Sequence, residues 1–84
     1  MLDKDIYFPV YRKLSNNKVF FKIINNTKFH EIQIIGKKAQ LNKIVATKYP
    51  EILKIQDMIE YSFEGIIESN DTEYSKLLNT YTFI

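Results

Sequence analysis

The sequence predicts an α+β fold: a mainly antiparallel sheet that starts with an N-terminal β-hairpin, helices packed on it, and a C-terminal amphipathic helix. Three observations predict it. Tyr7 to Ile23 holds two runs of aromatic and β-branched residues that alternate with period two around Ser15-Asn16-Asn17. Pro50-Glu51 heads a segment in which Ile52, Ile55 and Ile59 share one helical face. Tyr74, Leu77, Leu78 and Tyr81 recur at helical spacing behind Asn70 and Asp71, either of which can cap a helix. With 84 residues, and no repeat or Pro/Gly/Ser-rich linker, residues 1–84 read as one domain around one core.

In the hairpin, a turn centred between Asn16 and Asn17, which tolerate positive φ, sets Leu14 against Val19, Arg12 against Phe21 and Val10 against Ile23. One face then carries Phe8, Val10, Arg12, Leu14, Val19, Phe21 and Ile23, and is the core face. The other carries Tyr7, Pro9, Tyr11, Lys13, Lys18, Phe20, Lys22 and Ile24. Pro9 has no N–H for a ladder, so the first strand is an edge on at least one side there. Asn25-Asn26-Thr27 offers an N-cap, Phe29, Ile32 and Ile35 recur at three-residue spacing, and Gly36 can end a helix. These signals predict a short helix over 27–35, although His30, Ile32 and Ile34 also alternate as in a strand. Residues 39–48 lack a helical stripe and predict a strand, 50–60 a helix, and 62–68 a short strand. The last helix leaves Thr82-Phe83-Ile84 as an apolar tail that must dock somewhere.

Charge is distributed unevenly. Residues 1–48 carry ten Lys/Arg against three Asp/Glu, whereas residues 49–84 carry two against seven. Opposite halves of this kind can pair within one molecule, pair head to tail between copies, or draw nucleic acid to one side. Eleven lysines against the single Arg12, with Phe, Ile, Asn and Tyr also abundant, match the A/T-rich codons of an A/T-rich, bacterial-like genome, so lysine count alone says little about function.

The absence of cysteine removes disulfides, thiolate nucleophiles and Cys-ligated metals, and suits a reducing, cytoplasmic setting. Apolar runs such as Val19-Phe20-Phe21 and Ile34-Ile35 are too short to span a bilayer, and Met1-Leu2 leads directly into Asp3-Lys4-Asp5, which predicts no membrane partner. No G-x-S-x-G surrounds Ser15, Ser62, Ser69 or Ser75, and His30 is the only histidine; it reads as structural rather than as a base or ligand. Gly36 and Gly65 belong to no phosphate-cradling loop, and the pairs Asp57/Glu60 and Glu64/Glu68 fit no calcium loop, reading instead as a solvated acidic face. The expectation is no catalytic residue, no metal and no cofactor.

What remains is binding. Tyr7, Tyr11 and Phe20 beside Lys13, Lys18 and Lys22 form the candidate interaction face, with Phe83 and Ile84 as a possible interface tail. The expected function is a non-enzymatic binding or regulatory domain acting through protein–protein contacts, with a second copy or another protein on that face. The alternative is single-stranded nucleic acid, whose bases would stack on the rings while lysines track phosphates. A small enzyme ranks third.

Overall fold

The structure, a computed structural model, describes residues 7–62 and 64–84. Phe63, within the strand expected over 62–68, and the expectation drawn from Met1 to Asp5 lie outside the described residues. Among the described residues six strands and two helices form a small α+β domain in the order β1 (Val10–Leu14), β2 (Val19–Asn25), β3 (Lys28–Ile35), β4 (Lys38–Val45), α1 (Tyr49–Ile59), β5 (Ile66–Glu68), α2 (Asp71–Thr80) and β6 (Thr82–Phe83). The sheet runs β5-β1-β2-β3-β4-β6. It is mixed: the neighbours from β5 to β4 are antiparallel, and β6 lies parallel to β4.

The helix expected over 27–35 is strand β3, and the physical reason lies in ambiguous signals. Asn25 does accept a hydrogen bond from the Thr27 N–H at 2.8 Å, but the loop it closes is a hairpin turn rather than a helix N-terminus. Gly36 at φ +62 ends the segment in the left-handed region that a tight turn into β4 needs just as a helix end would. The alternation decides, because Phe29 faces one layer and Ile32 the other, and both are buried. Among the described residues two helices, not three, therefore pack on the sheet.

Each helix covers one face of the sheet. On the first, Val10, Phe21, Ile23 and Phe29 pack with Ile55, Met58 and Ile59 of α1. On the second, Phe20, Ile32 and Ala39 pack with Tyr74 of α2, joined by Leu77, Tyr81 and Phe83. Pro50 starts α1 without needing its missing N–H, and Asn70 caps α2 by accepting from the Glu73 N–H at 2.8 Å. The tail after α2 docks on the sheet: Phe83 lies opposite Ala39, and Ile84 N–H donates to the Ala39 carbonyl at 2.8 Å. No described helix is long and apolar enough to cross a membrane.

Tyr74 is the one buried side chain among those described whose polar atom, its hydroxyl, lacks a partner. Burial, reinforced by Tyr11, pushes its phenol up to about 12. An unfolded tyrosine ionises near pH 10, so above that pH the unfolded chain holds fewer protons than the folded one and stability falls as pH rises. Urea unfolding of Tyr74→Phe should show stability at pH 7 equal to or about 1 kcal/mol above that of the parent, because a desolvated hydroxyl without a partner is removed. Between pH 10 and 12 the parent should lose about 2 kcal/mol more than the variant. A loss exceeding 1 kcal/mol at pH 7 would mean that the hydroxyl has a partner after all.

Candidate interaction surfaces

The structure divides the face expected to meet a partner into three parts. Phe20 is buried under α2, and Lys13 is held there by an ion pair with Glu73 at 2.9 Å. Glu73 also accepts from the Ser69 hydroxyl at 2.8 Å, and the two donors hold its carboxyl below its ordinary value. Tyr11 is half-buried: its ring lies 5.7 Å from that of Tyr74 and its hydroxyl donates to Asp71 at 3.0 Å. Burial, with this carboxylate beside it, raises the Tyr11 phenol. Lys18 is exposed beside the hairpin turn, Tyr7 is 84% exposed, and Ile84 is exposed beyond β6 while Phe83 is half-buried. A face expected to need a second molecule thus already carries a helix of its own chain over part of its area.

Two surfaces remain open, one at the β5 end of the sheet and one running across it from β1 to β4. The first is a groove of about 670 Å³ where β1 runs past the end of β5, between the C-terminus of α1 and the N-terminus of α2. Tyr7, Pro9, Val10 and Tyr11 form one side, and Glu60, Glu68 and Asp71 make its rim acidic. Arg12 also reaches this region, but each nitrogen of its guanidinium donates a hydrogen bond. Nε donates to the Met58 carbonyl at 3.0 Å, and the two terminal nitrogens donate to Ile59 and Tyr11 carbonyls, each at 2.9 Å. The group also stacks 4.2 Å from the centre of the Tyr61 ring.

The second surface is a row that crosses four strands. Tyr11 of β1 lies opposite Lys22 of β2, Lys22 opposite His30 of β3, and His30 opposite Lys43 of β4. At about 4.8 Å between strands the row spans roughly 14 Å. It lies beside the part of the sheet that α2 covers, and Lys28 opposite Val45 extends it further. Lys22, Lys28 and Lys43 make no ion pair among the described residues. Burial lowers the His30 pKa, and the neighbouring Lys43 and Lys22 lower it further.

Sequence reasoning found Tyr7, Tyr11 and Lys22 but missed Lys28, His30 and Lys43. A helix over 27–35 scatters these residues, whereas strand pairing aligns them. The alternation of His30, Ile32 and Ile34 was the signal that could have found the row. Among the described residues no group of three His, Asp or Glu side chains is arranged to hold a metal ion. Comparison with protein-family models, curated proteins and solved structures finds no match to this chain.

Proposed function

We propose that this chain is a small non-enzymatic binding and regulatory domain that works in the cytoplasm through protein–protein contacts and associates with copies of itself. In this reading the N-terminal hairpin and the C-terminal amphipathic helix act together as the frame that presents the binding surfaces. The observation that supports it is the electrical polarity of the sheet. Glu60, Glu68 and Asp71 rim the groove at the β5 end, while Lys22, Lys28 and Lys43, on β2, β3 and β4 in turn, make no ion pair among the described residues. Opposite charges on separate surfaces steer copies head to tail and disfavour other orientations. Sedimentation at rising salt tests it. At low salt the mass should exceed the 10.0 kDa of one chain and fall towards it as screening shortens the reach of exposed charges. A mass of one chain at every salt and protein concentration overturns self-association.

The row Tyr11-Lys22-His30-Lys43 favours a second reading, single-stranded nucleic acid held mainly by charge. Phe20 is buried and Tyr11 is tied to Asp71, which leaves little ring surface for stacking bases. Lys22, Lys28 and Lys43 neutralising three phosphates would give a log–log salt slope of about −2 with a single-stranded oligonucleotide. No binding at low salt rejects this reading.

A further inference from the structure

The self-association proposed above leaves open which surfaces meet, and the backbone at the two sheet edges narrows the choice. In an antiparallel strand successive residues direct their N–H and C=O groups to alternate sides. Ala39 C=O points outward to Ile84 N–H, while Ala46 N–H points inward to the Thr27 carbonyl. Leu41, Lys43 and Val45 therefore direct their backbone groups outward. The strand β6 pairs only with Lys38 and Ala39, so among the described residues nothing pairs with β4 from Leu41 to Val45. At the other edge, Gly65 C=O accepts from Ser15 N–H and Ser69 N–H donates to Tyr11 C=O. Ile66 and Glu68 of β5 then direct their backbone groups away from β1, and β5 has no outer neighbour among the described strands.

We propose that the open stretch of β4 in one copy receives β5 of a second copy as an antiparallel strand, continuing the sheet from molecule to molecule. Outward groups meet when Glu68 of one copy stands opposite Lys43 of the other and Ile66 opposite Val45. The side-chain faces agree with this register. Glu68 lies opposite Arg12, on the α1 side, and Lys43 lies opposite His30, on the α2 side. Antiparallel entry turns the second copy over, which brings its α1 side level with the α2 side of the first. Glu68 and Lys43 are both exposed and then form a directly opposed pair of opposite charge. Charge also disfavours the alternatives. Two β4 edges together place Lys43 opposite or diagonal to its own copy, and two β5 edges do the same with Glu68. Because the two edges differ, every addition leaves one β4 and one β5 free, so the assembly is head to tail and open-ended.

The test is sedimentation over a concentration series for the parent, Lys43→Glu, Glu68→Lys and the double charge exchange, each checked by thermal melting. The parent's mean mass should climb with concentration without stopping at a dimer. Each single reversal should weaken association roughly tenfold or more, and the double exchange should restore it. If a reversal melts without cooperativity, Lys43→Gln and Glu68→Gln replace it and should weaken association in the same direction. A parent that associates while the single variants associate equally well overturns the edge pairing and leaves self-association standing. A dimer of fixed mass likewise overturns this pairing, and a parent that stays monomeric overturns both proposals.

Discussion

Replacing Phe20 by Ala should cost about 3–5 kcal/mol, the range for removing a buried aromatic ring and leaving a cavity. Phe20 is 6% exposed between β2 and α2, in the cluster that contains Ile32, Ala39 and Tyr74. A domain of this size has a net stability of roughly 4–13 kcal/mol, so the loss approaches the whole of it at the lower end. At about 4–8 °C per kcal/mol the melting temperature should fall by tens of degrees. The side chain alternates with the core-facing Val19 and Phe21 on the same strand, and only a helix on the second face makes both sides of β2 interior. Tyr7→Ala, at an 84% exposed position, is the control and should leave the melting temperature within a few degrees of the parent. Thermal melting with sedimentation separates the two roles open to the Phe20 ring. Loss of the fold places it in the monomer's core, while a stable fold with reduced mass would place it in an interface and contradict the packing of α2.

Which parts of this arrangement were legible in the sequence depends on whether a residue's pattern fixed its neighbour. Val10, Phe21 and Ile23 alternate with Tyr11, Phe20 and Lys22, and the two sets fall into the two layers of the domain. Asn70 with Glu73, and Pro50 with Glu51, mark helix starts by chemistry that acts within one turn, so local sequence suffices. Elsewhere the local signals were shared by two structures. Asn25 and Gly36 suit hairpin turns as well as helix ends, and the choice rests on pairing with β2 and β4, which no local window contains. The row from Tyr11 to Lys43 was hidden for the same reason, since its members come from four strands. The second face, expected to meet a second copy or another protein, is covered in part by α2, and Phe83 extends the cover along β4. A chain that has lysine at eleven positions keeps arginine at one, between Val10 and Leu14 on the face read as core.

Arg12→Met should cost about 3 kcal/mol, because that arginine closes the C-terminus of α1. The last carbonyls of a helix have no partner within it, and α1 has no basic residue in its final turn. Arg12 supplies the charge from β1 instead, donating to the carbonyls of both Met58 and Ile59. Hydrogen bonds to a charged group contribute about 1.5–3 kcal/mol each, and the attraction to the negative end of the helix adds to them. Methionine keeps much of the stem's packing while removing every donor, so the loss reports the guanidinium rather than a cavity. Arg12→Lys separates geometry from charge. A single ammonium cannot reproduce a planar fork that reaches two successive carbonyls while lying 4.2 Å from the centre of the Tyr61 ring. Lysine should therefore recover less than half of the loss in urea unfolding. Full recovery would show that the charge suffices, and a Met variant within 0.5 kcal/mol of the parent would show that these carbonyls find other partners. If the clamp holds as described, Arg12 fixes the end of α1 against the strand that floors the acidic groove. Its loss should then broaden the NMR amide signals of Glu60 and Tyr61 before those of α2.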